Sequence, residues 1–507
     1  MNSHLLTLTV FLPIAGVLLC LLVPRDSAGR ACRWINLLTC LAVFGATLAV
    51  WSGWGAAGVK AGAYALVEDG LWIPAFGIRY HVGVDGVSVA LLLLTSFVAL
   101  TASIASWKIE KSPKGYHAMY LLLLAGMLGV FVSLDLFLFY VFWELMLLPM
   151  YFLIGIWGGP RRQYASIKFF IYTLAGSVLL LAGMILIYIH HGTFQIPAIA
   201  ELARTKGLFS GLGSMVALQR AVFIGFFIAF AVKIPSFPLH TWLPDAHVEA
   251  PTPISMILAG VLLKMGGYGL IRMAYPFFPD AAAWAGTAIV VISLISIVYG
   301  ALVAMAQTDF KKLVAYSSVS HMGFVTLGLA SLHPAGVSGA MYMMLAHGTI
   351  SAMLFMVVGV IYERAHHRDI DRFGGLAWTM PGYFALAAFA IFASLGLPGL
   401  SGFIAEITVF MGSFDTFPRL TLIATLGMVV TAAYYLITLQ KVYLGETPAV
   451  YKDPVHYPDV TRRELLVLVP LAVVTLYMGI LPQGIMDIYR LDLESIMAPV
   501  RLAAGLK

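Results

Sequence analysis

Stretches of 18 or more mostly apolar residues recur from residue 5 to about residue 481. Each can cross a hydrocarbon layer roughly 30 Å thick as a helix. No other feature constrains the chain so strongly, because in lipid every backbone N–H and C=O must find its partner inside the protein. The composition agrees: 61% of the 507 residues are hydrophobic and 11% charged, which leaves little for a soluble domain. The net charge of +6 is scattered over loops, and no basic run alternates with aromatics, so nucleic-acid binding is set aside. Cys20, Cys32 and Cys40 form no ligand cluster. Neither a metal centre nor a disulfide framework is expected from them.

The apolar runs divide into about fourteen spans, near 5–23, 34–52, 84–107, 116–133, 135–157, 164–190, 220–248, 252–273, 282–305, 313–331, 336–362, 380–412, 419–444 and 463–482. The expected class is therefore an all-α polytopic membrane protein. No basic residue precedes the first span, whereas Arg25, Arg30 and Arg33 follow it. This reads as a retained helix with its N-terminus on the external, periplasmic side. With that orientation the larger share of the Lys and Arg falls in cytoplasmic loops, as the positive-inside rule requires.

Five ionisable residues fall inside spans: Glu144, Lys168, Lys233, Lys264 and Glu406. Each costs several kcal/mol at membrane depth, so such groups face a protein interior and mark ion or proton paths. Static pairs that lock helices would look the same in sequence, but five on one chain favour a path. Two spans are also interrupted. Pro235 and Pro238 follow directly on Lys233, and Pro398 lies within the ASLGLPGLSG stretch at 393–402, two turns before Glu406. Proline removes a helical hydrogen bond, and exposed backbone at such depth is tolerated only beside a polar cavity.

The breaks suggest a repeat. Units of five helices at 116–273 and 274–444 each carry the interruption in their fourth helix, and an odd number inverts the second copy. Residues 1–115 form a three-helix segment before them, and 445–507 a C-terminal helix and tail. His321 then corresponds to Glu144 and His347 to Lys168, while His240 follows the first break. Histidine exchanges protons near neutrality, so a row of them between charged groups suits a relay.

Three motifs carry a resemblance: FWELMLLPMY at 142–151, KIPSFPLHTWLPDAH at 233–247 and KKLVAYSSVSHMG at 311–323. They resemble the antiporter-like membrane subunits of respiratory complex I, the proton-translocating NADH:quinone oxidoreductase. Glu406 stands where two of the sister subunits carry lysine, which singles out the third. The resemblance implies proton translocation driven by quinone reduction on other chains, with no cofactor on this one. It implies a switchable Glu144 and Lys233 pair, Lys264 as central relay, His321 and His347 as connectors, and Glu406 as the terminal site. Lys168 and His240 would tune the pair and its uptake route. The expected partners are neighbouring membrane subunits of the complex, lipid and protons, and the expected location is a bacterial cytoplasmic membrane. A subunit of a multisubunit Na+/H+ antiporter or of a membrane-bound hydrogenase is the alternative. A membrane haem protein is disfavoured, because only one level histidine pair, His321 and His347, is available.

Overall fold

The computed structural model describes residues 4–24, 28–58, 60–209, 215–453 and 455–506; Arg25 lies outside them. Among the described residues thirteen helices are long and apolar enough to cross a membrane. Pro381–Ser394 and Ser401–Thr416 supply one more span in two pieces. The chain is a multi-pass membrane protein. Several spans begin on a side-chain cap that satisfies the first free N–H groups: Asp85 accepts from Ser88, Asp135 from Phe137 and Leu138, and Asp309 from Lys311 and Lys312.

Burial sorts the helices into a hidden core and a rim. The Thr252–Phe277 and Pro334–Ala365 helices are enclosed by protein over the whole of their most apolar windows, and Phe310–Ser331 over 94%. Leu5–Leu22 and Pro418–Tyr443 bury only 33% of theirs. A helix screened from lipid on every side can hold an ionisable group at depth, and Lys264, His321 and His347 all fall on these three hidden helices.

Both expected interruptions are present. Met215–Lys233 ends at Lys233, and a short Trp242–Glu249 helix resumes after an unwound stretch at 234–241. The Trp242 indole donates to Val232 O at 2.9 Å, capping a carbonyl that the end of the helix leaves without its usual donor, since Ser236 N turns to Ala231 O. In the second break Gly396 and Gly399 adopt φ of +80° and +93°, a region open to glycine.

Three elements depart from the sequence reading. Residues between the second and third spans form an antiparallel hairpin, Ala65–Ile73 with Ile78–Val84, so the fold is not wholly helical. Pro74 and Gly77, at φ +62°, close its turn. Glu68 on this hairpin accepts from Leu6 N at 2.8 Å and Thr7 N at 3.3 Å, capping the first helix. The long segment near 192–219, expected as a loop, contains the helix Ile196–Lys206. The expected C-terminal tail is a 22-residue helix, Pro482–Ala503, which buries Tyr489, Asp492, Leu493, Met497 and Val500 along one face. It packs onto the start of the third span, where a Cβ on Gly86 would lie 1.7 Å from Ile488 O. Hydropathy misses it because its signal is one-sided rather than apolar throughout.

Candidate functional site

Glu144 lies near the end of Leu136–Leu145, and the span continues as Leu147–Trp157 after an irregular turn at Met146. Pro149 cannot donate to the Leu145 carbonyl, which accounts for the irregularity. Glu144 Oε1 is buried with no hydrogen-bond partner among the described residues. Lys233 is 2% exposed, with Nζ 5.1 Å from the Trp143 ring centre and 5.6 Å from that of Phe169. Glu144 acts electrostatically on Lys233, yet among the described residues the two do not approach to the 4.0 Å of an ion pair.

Lys168 is instead bound to Asp245, Nζ to Oδ2 at 2.7 Å. Arg161 adds contacts of 3.9 Å to Asp245 and 3.8 Å to Glu249. His240 is buried against Phe237 and Tyr299, with neither ring nitrogen hydrogen-bonded among the described residues. The helix of Lys264 packs against this first break: a Cβ on Gly266 would meet Phe230 O at 2.6 Å and Ile234 N at 2.9 Å.

From Lys264 the polar groups follow in a row. Two π-helical turns, Leu258–Leu262 and Leu270–Ala274, flank the short helix that carries it. Lys264 Nζ donates to Ala259 O and lies 2.7 Å from His347 Nδ1. The His347 and His321 rings are 5.8 Å apart, and His321 Nδ1 stands 3.7 Å from Glu406 Oε1. Glu406 Oε2 is buried and unpartnered among the described residues, facing Gly396 of the second break. At a spacing like that of the two rings, like charges repel by about 3 kcal/mol at an effective dielectric of about 20. Neighbouring sites therefore exclude each other's protons, and a proton arriving at one favours release at the next.

Sequence reasoning passed over Asp245, His247, Glu249 and Lys311. His247 is fully buried, stacked 4.3 Å from Phe355 and within electrostatic reach of Lys311, Lys264 and His347. Lys311 donates to Ala250 O at 2.6 Å and borders, with Glu249 and Arg368, a cavity of about 220 Å³. Asp245 and His247 belong to the 233–247 motif, which was the one signal available for them.

Comparison with known proteins places these features in context. Residues 133–432 match the family model described as NADH:quinone oxidoreductase/Mrp antiporter, transmembrane. The chain is 42% identical over 492 residues to NADH-quinone oxidoreductase subunit M of Rhodobacter capsulatus, covering 96% of this chain and 95% of that one. It is 40% identical over 498 residues to the subunit of the same name from Rickettsia felis, at 97% and 98% coverage. Among solved structures it resembles a chain of respiratory complex I from Thermus thermophilus with bound NADH, with a TM-score of 0.86, 30% identity and coverage of 98% and 99%. It shares its fold with a chain of the Mrp complex from Dietzia sp. DQ12-45-1b at TM-score 0.82 and 22% identity, covering 99% of this chain and 55% of that one.

Proposed function

The chain belongs to the NADH:quinone oxidoreductase/Mrp antiporter family of membrane subunits, and from that premise we propose that Glu144, Lys233, Lys264, His347, His321 and Glu406 carry its proton traffic. It is an antiporter-like, proton-translocating subunit of NADH:quinone oxidoreductase, of the kind its relatives' names call subunit M. The observation that carries the residue assignment is the row Lys264, His347, His321, Glu406, whose members are at most 5% exposed. A static lock would satisfy its charges. Here Glu144 Oε1 and Glu406 Oε2 lack partners among the described residues, as suits groups that change state.

In this reading Glu144 and Lys233 form the switch, with Lys168, Asp245 and His240 tuning it from the cytoplasmic side. A proton leaves Lys264 Nζ for His347, passes to His321 and reaches Glu406, in the half-helix nearer the external face. In this reading the breaks at Pro235, Pro238 and Pro398 are where water enters beside Lys233 and Glu406. We assign 116–273 and 274–444 as inverted five-helix units, flanked by 1–115 and 445–507, because the interruption recurs in the fourth helix of each. The redox centres reside on other chains and no cofactor is held here. The N-terminus faces the periplasm of a bacterial cytoplasmic membrane, and lipid and neighbouring membrane subunits cover the rim.

Lys264→Ala in the intact complex tests the row. Reconstituted vesicles should show fewer protons translocated per NADH oxidised, with the complex still assembled. An unchanged ratio would remove Lys264 from the path.

A further inference from the structure

The hydroxyl protons around the two histidines can be counted. A carbonyl only accepts, and each serine or tyrosine hydroxyl has a single proton to give. Val314 O takes the Ser317 hydroxyl at 2.8 Å. Its proton committed, Ser317 Oγ accepts from Tyr435 across 3.0 Å. Tyr435 then has only lone pairs to offer Ser394, which donates to it at 2.8 Å. Ser394 in turn has only lone pairs left for His321 Nε2, 3.2 Å away. A second chain ends on the same carbonyl: Ser318 donates to Val314 O at 3.3 Å and lies 3.1 Å from His347 Nε2. Ser317, Ser318, Ser394 and Tyr435 are all at most 3% exposed, so protein groups set the direction.

From this count we infer that His321 is held with its proton on Nε2, which leaves Nδ1 as its one basic atom. Nδ1 is the atom that faces Glu406. Exchange between the two breaks the Glu406 Oε1–H bond and forms His321 Nδ1–H, or the reverse. Throughout, Nε2–H stays in its bond to Ser394 and the ring does not turn. His347 is set the same way, with Nδ1 toward Lys264. Tyr435, Ser394 and Ser317 are thus positioning residues. They come from three different helices, and one stands at the edge of the second break.

The inference rests on the proton path proposed above, but its test reads the ring rather than the pump. In the intact complex labelled with 15N-histidine, solid-state NMR of His321, assigned by its loss in His321→Gln, should place the proton on Nε2. Ser317→Ala leaves the Tyr435 proton without its acceptor, so it can turn to Ser394 and release the Ser394 proton toward Nε2. Tyr435→Phe releases that proton directly. Either variant should add an Nδ1-protonated signal, and Ser317→Thr should restore the single Nε2-protonated form. A proton on Nδ1 in the unaltered complex, or an unchanged tautomer in both Ser317→Ala and Tyr435→Phe, overturns the inference. A tautomer shift with unaltered pumping would uphold it and count instead against the proposed path.

Discussion

At the scale of single residues, the first half of the site is defined by charges kept near one another without being joined. Lys233 rests on Trp143 and Phe169, with Glu144 close enough to be felt but not bonded. Removing either member leaves the other without its counter-charge in low dielectric, where it neutralises and stops switching. Glu144→Ala and Lys233→Ala should each lower coupled quinone reduction and pumping by roughly tenfold or more, about 1.4 kcal/mol of barrier. Immunoblots of purified membranes should show the complex still assembled. Gly396→Ala tests the other end: its Cβ would lie 2.6 Å from Glu406 Oε2, at a φ that alanine disfavours. Pumping should fall although no ionisable group is lost, as a vesicle proton assay would detect. Lys264 and Glu406 were legible in the sequence because an ionisable residue in an apolar run is costly and therefore conspicuous. Lys311 and His247 were not, because a charged or polar residue near a helix end is ordinary until packing shows it to be buried.

The elements obey the same logic of satisfied backbone. Trp242→Phe would strip the donor from Val232 O beside the first break, at a cost of about 1 to 3 kcal/mol for a buried unsatisfied group. The purified complex should unfold at a lower temperature. At the start of the third span Arg272 bonds Asp85 at 2.7 Å, both side chains 2% exposed, and Asp492 of the C-terminal helix caps Gly62 N and Gly86 N. Burial alone would raise the Asp85 carboxyl, but the Arg272 guanidinium outweighs it and holds the group below its ordinary value. The stabilisation from that lowering is therefore complete above the unfolded value of about 3.9 and is lost as pH falls through the lower folded value. Asp85→Asn should destabilise by about 3 to 5 kcal/mol and remove that acid-dependent part, as melting curves at several pH values would show. The spans and both breaks could be read from apolar length and proline position. The hairpin and the C-terminal helix could not, because each owes its stability to docking against the helix ends and not to hydropathy.

For the whole molecule, the division between hidden and rim helices decides where chemistry can sit and where partners can bind. Spacing from the turns fixes how deep a residue lies. It does not say which helices are neighbours, so the order Lys264, His347, His321, Glu406 needed the three-dimensional arrangement. Mild detergent extraction should recover the chain with other membrane subunits; a lone chain that pumps in vesicles would contradict this. The central claim is that protons traverse this subunit and leave through Glu406. The most direct measurement is the number of protons translocated per NADH oxidised by vesicles holding the complex with Glu406→Gln, beside Glu406→Lys. Gln keeps size and hydrogen bonding but cannot titrate, so the ratio should drop, while Lys, which still titrates, should retain part of it. A Glu406→Gln complex that translocates as many protons per NADH as the unaltered one would contradict the account.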